Sequence, residues 1–199
     1  MPGTLILVFH SDMAASRANS TLAATARTLP DVEVVDMQAR YPESRIDLYT
    51  DAARDAQMLL GADRIVLQFP VQWYSTPSLL KTWQDAVLTR MYYLEHEAEG
   101  DRLAGTPLMI AATAGNISAA YGRGGRNHFT IDEILTPLKA TAHRCSLPWH
   151  PPISSSRPTG YRTRRFPPQP RTIAAHSPAS SLRPQPETPN RRLFESWKP

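Results

Sequence analysis

Three short apolar runs constrain this chain most: TLILVF at 4–9, RIVLQF at 64–69 and TPLMIAAT at 106–113. Each is continuous rather than alternating, the mark of a strand covered on both faces. Between and after them come stretches with helical spacing. Residues 16–29 place Ala18, Leu22, Ala26 and Leu29 on one face, with Ser16 able to cap the start. Residues 51–62 turn Ala52, Ala56, Leu59 and Leu60 inward and end near Gly61. Residues 77–90 carry Pro77 in the first turn, where its missing N–H costs nothing. Residues 130–144 open on a Thr130–Glu133 capping box and are interrupted by Pro137. VEVVDM at 32–37 adds a second strand and CSLPWH at 145–150 a weaker fifth one, while 38–50 reads as loop. Strand and helix alternate throughout, which predicts parallel βαβ units with right-handed crossovers: a doubly wound α/β sandwich with a five-stranded parallel sheet.

Composition divides the chain. From Pro151 to Pro199 there are 11 of the 19 prolines, and eight Arg plus one Lys stand against two Glu. That segment carries +7, which leaves −3 on residues 1–150 out of a whole-chain +4. The basic pI of about 9.5 therefore belongs to the C-terminal stretch. It gives no reason to expect nucleic acid on a mildly acidic domain. The stretch is poor in aliphatics and its Arg are broken up by Pro, without aromatics placed to stack bases. We expect a folded domain over 1–153 and a low-complexity, disordered basic tail over 154–199. One cysteine, Cys145, excludes an intramolecular disulfide and suits a reducing compartment. The start has no basic leader and no run approaches a membrane span, so the expectation is a soluble cytoplasmic protein.

In sheets of this kind ligands bind beyond the carboxyl ends of the strands, where strand order reverses. Three loops fall there. HSDMAASRANS, after the first strand, leads into a helix N-terminus, whose free N–H groups and dipole suit an anion. Ser16, Asn19 and Ser20 can add hydroxyl and amide contacts, and His10 a further donor. On pattern alone a simple capping turn is the commoner explanation of a Ser-led helix. No Gly-x-Gly and no P-loop lysine are present, so a dinucleotide pyrophosphate turn and a P-loop are unsupported. PVQWYSTP, after the third strand, presents Trp73 and Tyr74 between Pro70 and Pro77. Packing and a ring platform explain such a pair equally well. AGNISAAYGRGGRNH, after the fourth strand, is glycine-rich; Thr113, Ala114, Gly115 and Asn116 let backbone approach a ligand, with Tyr121 and His128 further on. Together these features describe a mononucleotide site, with phosphate on the first loop and a flat ring between the other two. The six histidines lack metal-ligand spacing, and there is no Gly-x-Ser-x-Gly elbow.

The segments LILVFH…SRANS, FPVQWYSTPSLLKTWQDAVL and AATAG…AYGRGGRNHFTIDEILTPLKATAHRC…WHPP resemble the flavodoxin-like NAD(P)H:quinone oxidoreductases. The nearest likeness is to the ancillary oxidoreductases of bacterial glutathione-regulated potassium-efflux systems. The resemblance implies an FMN-binding homodimer that reduces quinones or related electrophiles with NAD(P)H by ping-pong hydride transfer. A regulatory role, docked on a transporter's cytoplasmic domain, is the alternative it implies. Carried over by position, His10, Ser16, Arg17, Ala18 and Asn19 match the phosphate and ribityl site. Val71, Gln72, Trp73 and Tyr74 match the loop along the isoalloxazine, and Thr113, Ala114, Gly115 and Asn116 the loop at its other polar edge. Tyr121 falls on a catalytic Tyr. The accompanying His position falls at Asn127, which leaves the adjacent His128 as the second catalytic candidate. The family's usual Gly-Gly is here Gly115-Asn116. The likeness is expected to stop near Ile153, beyond which the chain reads like a GC-rich gene translated in a shifted frame.

Overall fold

In a computed structural model, residues 3–157 are described; from residue 158 on, the expected tail lies outside the described residues. Five parallel strands make one sheet in the order β2-β1-β3-β4-β5. They are β1 Thr4–Val8, β2 Val32–Asp36, β3 Arg64–Pro70, β4 Leu108–Ile117 and β5 Ile153–Arg157. The helices are α1 Arg17–Ala26, α2 Met37–Arg40, α3 Asp51–Leu60, α4 Ser78–Thr89, α5 Asp101–Leu103, α6 Ile131–Ile134 and α7 Thr136–Arg144. The chain winds from β1 outward to β2, then returns past β1 to β3 and continues to β4 and β5. The reversal lies between β1 and β3, which pair from Thr4↔Arg64 to Val8↔Gln68.

Alternation along buried strands gives the sheet two cores. Leu5, Leu7, Phe9, Ile65, Leu67, Phe69, Ile110 and Ala112 face α3, α4 and α7, meeting Leu59, Leu80, Trp83, Val87 and Leu138. Ile6, Val8, Val66, Met109 and Ala111 form a smaller core with Ala23 and Ala26 of α1. Both faces are covered, so the strands needed no polar alternation, which is why they read as continuous apolar runs.

Four expectations are corrected. The fifth strand is Ile153–Arg157, not 145–150. Cys145 instead caps the C-terminus of α7, and Trp149 makes only an isolated bridge to Leu108. Met37, expected to end the second strand, and residues 38–40, expected as loop, form α2, because Asp36 accepts N–H bonds from Gln38 and Ala39, both 3.0 Å. The helix at 130–144 is two: α6, with the capping box in place, then α7 with Pro137 in its first turn. Pro137 thus starts a helix rather than interrupting one. Finally, α4 does not stop at Arg90 but runs into two π-helical turns, Arg90–Leu94 and His96–Gly100, clasped by an Arg90–Glu99 ion pair at 2.9 Å.

The fully buried carboxylate of Asp55 ties three helical segments on the larger core's side. Arg40 donates to its Oδ1 from Nε at 2.9 Å, with Nη2 at 2.7 Å. Tyr41 Oη and Trp83 Nε1 donate to Oδ2, both at 2.8 Å. Burial above all pushes the Tyr41 phenol up to about 12, so it remains a donor across the working pH range. Trp83 is thereby fixed with its ring 5.6 Å from Phe9, just past the end of β1. Asp55→Ala leaves Arg40, Tyr41 and the Trp83 N–H without their shared acceptor. It is expected to cost about 3–5 kcal/mol, read from urea unfolding.

Candidate functional site at the carboxyl edge of the sheet

The carboxyl ends of β1, β3 and β4 carry the three predicted loops. After β1, His10 accepts the Asp12 N–H on Nδ1 at 3.0 Å, and Asp12 in turn accepts from Ala15 N at 2.9 Å. This folds the loop tightly before α1. Ser16 is the N-cap, accepting from Asn19 N at 3.3 Å. The first intrahelical bond is Ser20 N to Ser16 O at 3.1 Å, so the amides of Arg17 and Ala18 remain without a helical partner. Arg17 and Ala18 are exposed there. Two expected phosphate contacts are committed elsewhere. The Ser20 hydroxyl donates back to Ser16 O, and Asn19, only 1% exposed, is spent on internal bonds to Ser16, Thr113 and Gln68.

After β3 the backbone makes an unusual turn. Gln72 and Ser75 exchange both ladder bonds, at 2.9 and 3.0 Å, across a two-residue loop. The two loop residues are Trp73 and Tyr74, with φ of 48° and 62°. That is the geometry of a type I′ turn, in which Asn-Gly is the favoured pair. For large side chains the left-handed conformation costs on the order of 1–2 kcal/mol each. Packing does not compensate: Trp73 is 95% and Tyr74 51% exposed. The turn displays two rings in solvent at a conformational cost, and such strain clusters at ligand sites.

Ala114, Gly115 and Asn116 belong to β4 and not to the loop after it, a further correction, while Thr113 lies in the strand as expected. Thr113 and Ala114 stay paired with Ser155 and Ser156, and the β4–β5 register then shifts between Ala114 and Ile117, leaving Gly115 and Asn116 in a bulge. Val71 N donates to Thr113 O at 2.8 Å, so the ring turn and the bulge are direct neighbours. Gly115 is exposed, and a Cβ built on it would meet nothing within 4 Å. At Gly125 the reverse holds: a Cβ would come within 2.4 Å of Ala119 O and 2.6 Å of Ala120 O, so only glycine folds the segment back there. That return brings Asn127 to Tyr74, whose hydroxyl donates to Asn127 Oδ1 at 3.2 Å. His128, exposed and at φ 59°, makes no ring hydrogen bond among the described residues. Asn127, one position before His128, is thus the residue that meets Tyr74. Tyr121 lies beside Tyr74 and the Asn116 N–H. Burial raises its phenol above the ordinary value and the neighbouring Tyr74 adds to this, with the Asn116 N–H opposing. It is a protonated donor at neutral pH.

A cavity of about 500 Å³ opens below the turn, between α4 and α7. Phe69, Val71, Leu88, Tyr92 and Leu138 wall it, and Lys81, Asp85 and Arg144 supply its charged groups. It includes neither His10 nor Ser16 nor Tyr121, and meets the three-loop edge only through Val71, Ser75 and Thr76 of the second loop. No cluster of metal-ligating side chains occurs among the described residues, and no helix among them is long and apolar enough to cross a membrane.

A family model described as "Flavodoxin-like fold" matches residues 3–164. The chain belongs to this family. The match passes the expected limit near Ile153 and takes in the observed fifth strand. Among curated relatives, the glutathione-regulated potassium-efflux system ancillary protein KefF of Salmonella dublin is 40% identical over 156 residues, 75% of this chain and 81% of that protein. The NAD(P)H oxidoreductase YdeQ of Bacillus subtilis is 36% identical over 154 residues, 77% and 75% of the two chains. Among solved structures, general stress protein 14 of Treponema denticola, in complex with FMN, has a TM-score of 0.70 at 29% identity, covering 78% of this chain and 86% of its own. An NADPH-quinone reductase of P. pentosaceus gives 0.65 at 28%, covering 78% and 85%. A protein from Streptomycin violaceusniger named as a thermophilic tryptophan halogenase gives 0.71 at 34%, covering 80% and 89%. What these three structures share with this chain is the fold. The oxidoreductase names agree with the resemblance read from the motifs.

If Trp73 and Tyr74 are held against their conformational preference, Asn-Gly relieves the turn. The double variant W73N/Y74G is expected to be more stable than the wild-type apoprotein by about 1–3 kcal/mol in chemical denaturation.

Proposed function

We propose that this chain is an FMN-dependent NAD(P)H oxidoreductase that reduces quinones or related electrophiles. The observation that carries the reading is the strained, solvent-displayed Trp73–Tyr74 turn, hydrogen-bonded to the neighbouring strand end at the sheet's switch point. The residues fit the group. The free amides of Arg17 and Ala18, the Ser16 hydroxyl, the Arg17 guanidinium and His10 form an electropositive, donor-rich cradle for a phosphate. Val71, Gln72, Trp73 and Tyr74 on one side, and Ala114, Gly115 and Asn116 on the other, frame a flat heterocycle. The open space before Gly115 leaves room for a ring edge. When bound, FMN supplies the hydride-transfer chemistry; the protein supplies orientation and electrostatics. Trp73 and Tyr74 offer aromatic faces against which a flat ring would pack. The protonated Tyr121 and the amides around Gly115 hold donors where negative charge collects during turnover. NAD(P)H would bind first, give up its hydride and leave as NAD(P)+ before the acceptor enters the same place to take the two electrons, a ping-pong sequence.

The ring site is open on the side bearing Trp73, and exposed Tyr93, Leu94 and Phe129 lie on nearby segments. A second copy of the chain in the cytoplasm is the proposed cover, which makes the working unit a homodimer. Likeness to the KefF ancillary protein supports a second reading, in which the same fold docks on the cytoplasmic domain of a potassium-efflux transporter and regulates it.

Purified protein reconstituted with FMN should be yellow, bleach with NAD(P)H without air, and recover colour on adding a quinone. A chain that never takes up FMN defeats the enzymatic reading. Tyr121→Phe is expected to lower kcat about ten- to a hundredfold with little change in FMN affinity, measured by stopped-flow and flavin titration. Trp73→Ala separates the two readings: loss of flavin with retained transporter activation favours the regulatory role.

A further inference from the structure

The side chains of Asn19 and Thr113 both fall on the matched site residues, yet neither is free to touch a ligand. Asn19 is 1% and Thr113 7% exposed. Asn19 Nδ2 lies 2.9 Å from Thr113 Oγ1, a bond across 94 residues of chain. Thr113 also accepts Val71 N on its backbone oxygen at 2.8 Å. Through one residue, therefore, the phosphate loop and the ring turn are each bonded to the end of β4. Gln68, wholly buried in β3, braces Asn19 from beneath: its Nε2 donates to Asn19 O at 2.8 Å and approaches Asn19 Oδ1 at 3.4 Å. Because a backbone carbonyl only accepts, the Gln68 amide can point one way, and its Oε1 is left buried without a partner. An unsatisfied buried acceptor costs stability, which raises the question of what the arrangement does for the site.

Ser16 shows what that is. Its Oγ receives two N–H donors from Asn19, the backbone N and Nδ2, both at 3.3 Å. A hydroxyl has two acceptor positions and one proton. With both acceptor positions taken, the Ser16 proton is left to be donated to a ligand.

We propose that Asn19 and Thr113 are positioning residues: their buried bond aims the Ser16 O–H at an anionic group and fixes that donor relative to the ring turn, so that phosphate and ring are recognised as one unit. This rests on the FMN reading above. The tie makes the phosphate's contribution to binding depend on a hydroxyl that never meets it.

The test compares FMN with riboflavin, which has the ring but no phosphate, by titrating apoprotein and following flavin fluorescence. Thr113→Val removes the hydroxyl and keeps the shape; Thr113→Ser restores it. In Thr113→Val the ratio of FMN to riboflavin affinity should fall at least fivefold from wild type, with Thr113→Ser within twofold of wild type. Asn19→Ala, which breaks the bond from the other side, should lower the ratio likewise, and it serves if Thr113→Val fails to fold. Equal weakening of both ligands, or no weakening, overturns the proposal, because a merely structural tie does not tell the two apart. Failure of both variants to keep the wild-type circular dichroism also overturns it. If the wild-type apoprotein binds neither ligand, the FMN reading itself falls, and this inference with it.

Discussion

The reversal of winding between β1 and β3 governs everything at the carboxyl edge. Chain leaving β1 turns toward β2, and chain leaving β3 turns toward β4. The two exits diverge, so a crevice is unavoidable between them. The sheet's hydrogen bonds then set the relative heights of the loops: Val8 is level with Gln68, and Pro70 with Thr113. Site geometry here is a consequence of strand register.

A register fixes strand ends but not the helices that follow them, and two buried polar hubs supply that fixity. On one face Asn19, the third residue of α1, is held by Gln68 and Thr113. On the other, Trp83 within α4 is held by Asp55, which also gathers Arg40 and Tyr41. Each hub pins the helix that follows a site loop. The helices are therefore placed by directional bonds, while the apolar cores, being non-directional, supply cohesion. The loops can carry strain such as the Trp73–Tyr74 turn because both of their ends are anchored.

Much of this was legible in the chain. TLILVF and RIVLQF announced buried strands because covering both faces removes any need for alternation. The Thr130–Glu133 box was legible because both capping bonds are local. CSLPWH misled because Cys145 and Leu147 pack into the core and only Trp149 bridges to β4, while the true fifth strand, rich in serine, has no continuous apolar signature. Asp36 as a cap for α2 was readable and overlooked among the polar residues that follow. The π-helical turns after α4 and the bulge at Gly115–Asn116 carry no local signal, since each arises from tertiary pairing. Among the candidate site residues, sequence spacing placed the loops at one edge of the sheet but not the direction each side chain faces. Asn19 and Thr113 turn inward, and Asn127 in place of His128 meets Tyr74.

The Trp73–Tyr74 turn has an optical consequence. Trp73 lies almost wholly in water, whereas Trp83 is buried with its N–H on a carboxylate. The two indoles therefore emit from opposite environments, one red-shifted and easily quenched, the other blue-shifted and shielded. A ring packing on the turn would displace water from the first and leave the surroundings of the second unchanged, so two of the chain's four tryptophans form a gauge of what occupies its carboxyl edge.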